Sequence, residues 1–304
     1  MVLAPAASTY AFDGHHLMAA MLRHEAASAT VLADMGLINP DAAQSISNTC
    51  KPVLFSVDVV LRDTLRLQPL SPLEPPPLML ALRETVRLFN PQASEHVFRG
   101  GLWAALQRNA LACLTQELTQ DLLAHMDALL TLLEPSTPLA QPLLQARLRL
   151  AGAAERALWL ELALQDPEAL ADAQGYIAGM SRQLGLSNQS HLIKGPQTDA
   201  MAVLGCEFAV LMICTGRLAT HLPWPASQVR LVDRLRSQAL RAPLLASQWM
   251  TETCARDEGR DDQTSFWQHQ LPLWSQLAGQ AALGVRDLYQ AWADSGEKPA
   301  AGHT

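Results

Sequence analysis

Between the Gly100-Gly101 pair and Pro135 the chain runs for 33 residues, Leu102 to Glu134, without a glycine or a proline. As a helix this stretch spans roughly 50 Å at about 1.5 Å per residue. Leu102, Leu106, Leu114, Leu118, Leu122, Met126, Leu130 and Leu133 recur at helical spacing, and Leu111, Leu123 and Leu129 widen the stripe beyond one face. A rod apolar on several sides needs partners on several sides, so the rest of the chain must supply packed helices. Leu and Ala dominate a chain that is 49% hydrophobic yet only 5% aromatic, which favours helix throughout.

Breakers divide the remainder. The pattern predicts a helix from Asp13 to Met35 stopped by Gly36, a second from Asn39-Pro40-Asp41 through Cys50, and a third from Phe55 to Leu67. Prolines at 69, 72, 75, 76 and 77 mark an irregular connection before a helix over Leu78–Phe89, which Asn90-Pro91 ends. After the rod come Leu143–Leu164, a helix entered at Asp166-Pro167-Glu168 and closed by Gly185, then Gln197–Leu222, Ala226–Cys254 and Phe266–Ala293. No β-alternation or repeat is visible, and the fold class expected is all-α. The breaks suggest an N-terminal helical region at 1–100, a central long-helix region at 101–255, a C-terminal helical region at 256–294 and a disordered tail at 295–304.

Charge and cysteine usage narrow the function classes. With 22 basic against 29 acidic residues the net charge is −7, and no block of Lys and Arg offers the footprint of a nucleic-acid binder. The five cysteines are odd in number and widely spaced, as expected of reduced thiols in a cytoplasm rather than a disulfide framework or zinc site. No basic segment followed by an apolar core opens the chain, so no signal peptide is expected. Ala200–Ile213 is interrupted by Glu207 and is too short to span a bilayer; a buried helix is the expectation, with no membrane partner. His15-His16 has no third ligand at metal spacing, and neither a metal nor a cofactor is expected.

Met21 to Ala43 reads M-L-R-H-E-A-A-S-A-T-V-L-A-D-M-G-L-I-N-P-D-A-A. This resembles the N-terminal helix and turn of the fumarase/aspartase superfamily, in its 3-carboxy-cis,cis-muconate cycloisomerase branch, which reads M-L-x-x-E-x-A-L-A followed by G-x-I-P and paired alanines. Pro77-Leu78, Leu184-Gly185-Leu186, Asp199, Gly216-Arg217-Leu218-Ala219 and Trp267 with Gln270-Leu271 resemble further segments of the branch in the same order. The resemblance implies an all-helical protomer whose long helices associate into a homotetrameric bundle, with sites at subunit junctions.

The same resemblance exposes what is missing. The branch opens its long helix with G-A-T-S-Q-D-x-x-D-T; laid from Gly100, those polar groups fall on Leu102, Trp103, Ala104 and Ala105, and the later Asp and Thr on Arg108 and Asn109. A Q-x-A-x-P turn is similar to Leu139-Ala140-Gln141-Pro142. The flexible G-S-S-x-M-P-x-K-x-N loop, which carries the family's serine base, meets only Pro223 to Arg230, where Ser227 is a poor substitute. Trp103, a large ring in place of a small hydroxyl, reads as a plugged pocket.

The remaining site candidates are few. His96 and Arg99 precede the altered motif, where Arg could hold a carboxylate in a bidentate pair, and a solvated loop explains them equally. His191 and Lys194 fall where the branch has W-H-x-x-R-D, with Asp199 matching its aspartate or capping a helix. Arg230, Arg234 and Arg241 share one helical face, either an anion site or a solvated surface. Arg256, Asp257, Glu258 and Arg260 read as salt-bridged surface. The expectation is a divergent cycloisomerase-like scaffold lacking the usual catalysis. It would self-associate, bind a small carboxylate or assemble with a full-length homologue. The competing expectation is a lyase or cycloisomerase acting on a di- or tricarboxylate through His96, Arg99, His191 or Lys194.

Overall fold

A computed structural model describes residues 12–66, 75–99, 102–133, 140–161, 172–187, 198–222, 224, 226–257 and 266–295. α1 (Gly14–Asp34) starts on Asp13, whose carboxylate accepts the His16 amide at 2.9 Å, and stops where Gly36 takes φ +71°. α2 (Pro40–Thr49) is capped by Asn39, which accepts the Asp41 amide at 2.8 Å. A 3₁₀ turn, Pro52–Leu54, leads to α3 (Val57–Arg66). α4 (Pro77–Phe89) ends at Asn90, which in turn caps the single turn α5 (Pro91–Ser94). These starts and stops are the ones the cap and breaker residues dictate.

The predicted rod is α6 (Trp103–Leu132), 30 residues long. α1, α7 (Ala140–Ala157) and α12 (Gln280–Ser295) pack around it, which accounts for its wide apolar stripe. α7 stops at Ala157 instead of running on to Leu164, because the chain turns extended and bridges Trp159 to Ser187. α8 (Ala173–Leu184) is capped by Asp172 and closed by Gly185 at φ +71°; the expected Asp166-Pro167 entry lies outside the described residues.

α9 (Thr198–His221) lies against α7, α10 (Val229–Asp257) and α12. By length and composition Asp199–His221 would suffice to cross a membrane, yet Leu204, Phe208, Leu211 and Met212 are buried within the protein. Glu207, the charge that interrupts this apolar run, pairs with Arg149 of α7 at 3.1 Å. α10 contains Pro243 and continues through Arg256 and Asp257, past the end expected at Cys254. The last segment is interrupted: π-helical turns at Phe266–Gln270 and Ser275–Gly279 flank α11 (Leu271–Trp274). Trp274 sits between them, donating to Thr115 Oγ1 of α6 at 2.9 Å and stacking 4.5 Å from Trp249 of α10. One apolar cluster runs continuously from Phe12 to Trp292.

Candidate functional site

The register that turns Leu17 and Met21 inward carries His24 and Glu25, three and four residues on, into the same buried face. They are 4% and 5% exposed. Glu25 accepts the Phe98 amide at 2.7 Å, while Arg83 of α4 donates to the Val97 carbonyl at 3.0 Å. The turn before α6 is thus gripped from both sides. It holds Phe98 at φ +54°, the positive-φ conformation of a residue other than glycine among those described. Burial pushes the Glu25 carboxyl up to about 7 against the opposing pull of the Phe98 amide and Arg83. Tyr176 of α8, whose hydroxyl meets Ser28 Oγ at 2.9 Å, is pushed up to about 12, chiefly by burial. Burial, then the charge of Glu25, also raises the Cys50 thiol.

His24 faces α6. Asn109 directs its amide nitrogen to His24 Nε2 at 3.2 Å and to the Glu161 carbonyl at 2.9 Å, and its oxygen accepts the Glu161 amide at 2.9 Å. With Nε2 accepting, the imidazole proton sits on Nδ1, which is buried without a partner. Burial holds the ring down to about 4, hence neutral. Arg108 forks onto both Glu161 carboxylate oxygens at 2.5 Å. The two polar residues standing where the branch has Asp and Thr therefore tie α6 to the segment after α7.

The mouth of α6 is closed. Trp103 is 2% exposed, its indole N–H is unpartnered, and the void beside it, shared with Met21, Val57 and Leu78, measures about 10 Å³. At that size it is no larger than the roughly 10–15 Å³ that a single water requires, so no substrate fits beside the ring. Leu102 begins the helix with no side-chain cap. At the other altered motif, α9 ends at His221 and α10 begins at Val229, joined through the short 3₁₀ turn Ala226–Gln228, on which Ser227 is exposed.

His96 and Arg99 are brought together on the Phe98 turn, with Arg99 Nη1 3.5 Å from His96 Nδ1, one half-buried and the other exposed. Arg230, Arg234 and Arg241 lie exposed along α10, and Arg234 pairs with Asp287 of α12 at 2.5 Å. No described contact joins these arginines to the His96–Arg99 pair. His191 and Lys194 lie outside the described residues. Asp199 is exposed in the first turn of α9. Among the described residues no group of three His, Cys, Asp or Glu side chains is placed to hold a metal. A cavity of about 410 Å³ between α1 and α8 and one of about 290 Å³ between α6 and α7 contain none of the predicted site residues. The sequence argument passed over His24, Arg83 and Asn109. Their signal is a polar residue inside an apolar helical stripe, as at Met21-x-x-His24-Glu25.

Among the described residues, long helices packed around one central rod, with buried polar residues near its first turns, have the fold plan of the fumarase/aspartase-type lyases. No protein-family profile matches the chain, and no curated protein does. Solved structures do. The β-carboxy-cis,cis-muconate cycloisomerase of Acinetobacter calcoaceticus sp. ADP1 is similar at TM-score 0.75 with 14% identity, over 92% of this chain and 74% of that one. The 3-carboxy-cis,cis-muconate lactonizing enzyme of Pseudomonas putida follows at TM-score 0.74 and 18% identity, over 93% and 73%. A fumarate lyase from Mesorhizobium sp. BNC1 gives TM-score 0.64 and 15% identity, over 95% and 75%. At these identities the likeness establishes the fold, and the expected cycloisomerase-like architecture stands.

Proposed function

We propose that this chain is a divergent member of the superfamily which keeps the helical scaffold and has given up its proton-abstraction chemistry, serving as a self-associating binding or assembly protein. The observation that carries this reading is the closed mouth of α6. Trp103 fills the space, alanines follow it, and Arg108 is committed to Glu161. Acid–base chemistry on a carboxylate substrate requires donors and a base within reach of a bound ligand. The buried pair with shifted pKa values, His24 and Glu25, lines none of the cavities described above.

Incubation with 3-carboxy-cis,cis-muconate and with fumarate-yielding substrates should leave the diene absorbance unchanged and release no fumarate. Turnover that disappears in Arg99→Ala or His191→Ala would overturn the proposal. It would favour a lyase or cycloisomerase acting on a di- or tricarboxylate through relocated residues, a reading supported by the close approach of His96 and Arg99. Self-association, as a homotetramer or with a full-length homologue, is tested by light scattering on the purified protein and by co-purification from its host.

A further inference from the structure

The junction around Glu25 is built for more than packing. Its carboxyl accepts the Phe98 amide of the turn and feels the charge of Arg83 on α4, while Cys50 just after α2 and Tyr176 on α8 feel its own charge. His24, beside it on α1, is engaged by Asn109 of α6. Several other charged groups on the packed elements are paired elsewhere. Arg108 of α6 holds Glu161, Arg23 of α1 holds Glu117 of α6, and Arg62 and Asp63 of α3 pair with each other. Glu95, His96 and Arg99 ride on the turn itself.

We infer that Glu25 is a proton-controlled latch: protonated, it keeps the 95–99 turn seated against α1 and α4, and ionised, it lets that turn open. Two effects compete on ionisation. The bond from the Phe98 amide strengthens as the acceptor gains charge, but the buried charge loses its water, and burial is the larger influence. Opening the turn rehydrates the carboxylate and so relieves the dominant cost. What the latch controls is the strained Phe98 backbone, the presentation of His96 and Arg99, and the entry to α6.

The sign follows from proton binding. With the turn seated, the carboxyl protonates at about 7; released into water it returns toward its ordinary value of 4.5. The seated form therefore binds more protons between those values, and the opening constant rises by roughly 30-fold between about pH 5.5 and 8.0. His24, held down to about 4, and Tyr176, pushed up to about 12, do not titrate in that window. Cys50 is raised away from it as well.

Amide hydrogen exchange at Phe98, followed by NMR on the full chain and corrected for intrinsic exchange, reads the opening constant directly. Protection should fall roughly 30-fold across that range. It should be flat in Glu25→Gln, which still accepts the amide but cannot ionise, and should keep the wild-type slope in His96→Asn. A flat wild-type profile, a retained slope in Glu25→Gln, or a slope lost in His96→Asn would each overturn the latch. Should Glu25→Gln fail to fold, the carbon-13 titration of the Glu25 carboxyl decides: a midpoint at the ordinary glutamate value overturns it, and one near neutrality supports it.

Discussion

Asn109 spends both amide protons and its oxygen on fixed partners, His24 on one side and the Glu161 backbone on the other. Truncation to Ala strands the buried His24 Nε2 and two part-buried backbone groups of Glu161, so Asn109→Ala should lower stability by about 2–3 kcal/mol in urea unfolding. The neighbouring pair has opposite pH signatures. Glu25 has a raised folded pKa, so its contribution is full below about 4.5 and is lost as pH rises through about 7. His24 has a depressed one, so its contribution is full above about 6.5 and is lost as pH falls toward about 4. Between pH 4.5 and 6.5 the two slopes cancel. Relative to wild type, Glu25→Gln should gain about 3 kcal/mol as pH rises from about 4.5 to 7, and His24→Gln a similar amount as pH falls from about 6.5 to 4. Urea midpoints at a series of pH values check both signs at once. None of this was legible in the sequence beyond the motif holding Glu25. A histidine or asparagine on an apolar face looks the same whether it meets a ligand or another helix, and the deciding partners lie 85 and 52 residues away. The burial of Trp103 was legible, because a large indole inside the rod's apolar run belongs in a core.

Helix boundaries were readable wherever the stop is local. Asp13 and Asn39 supply caps, and Gly36 and Gly185 adopt positive φ where the helices end, whereas the Asp172 cap of α8 was not anticipated. The end of α7 was not, since it depends on a distant segment: the Leu160 amide donates to the Ser187 carbonyl at 3.2 Å and the Ser187 amide to the Leu158 carbonyl at 3.3 Å. Periodicity carries no information about such a pairing, nor about the π-turns that seat Trp274. The close crossing of α9 and α10 is likewise a tertiary fact. A Cβ on Gly205 would stand 2.3 Å from Trp249 Cδ1, and one on Gly216 would stand 2.4 Å from Ala239 Cβ. Gly205→Ala must displace the indole that donates to the Met201 carbonyl at 2.9 Å. The cost should be about 1–3 kcal/mol of overpacking. Tryptophan fluorescence should register the displaced ring even where the fold survives.

At the scale of the molecule, the exposed apolar surface is the argument for association. Leu144 and Leu148 form one turn of exposed stripe on α7, and Leu240 and Leu244 another on α10, the latter 84% and 72% exposed. Scattered surface leucines need no explanation, but two i,i+4 pairs on long helices that both pack on α9 are the pattern of a helical face awaiting a partner. Val203 on α9 is exposed as well. These positions contribute little to the protomer's own core, so charging them separates assembly from folding. The double variant Leu240→Glu/Leu244→Glu should retain the far-ultraviolet circular dichroism and thermal midpoint of the folded protomer while shifting its mass in light scattering from oligomer to monomer. A wild-type protein that is monomeric at micromolar concentration, or a variant that keeps the oligomeric mass, would remove α10 from the interface. Loss of the helical signal in the variant would instead mean that the protomer depends on its partners to fold, as obligate assemblies of all-round apolar helices do.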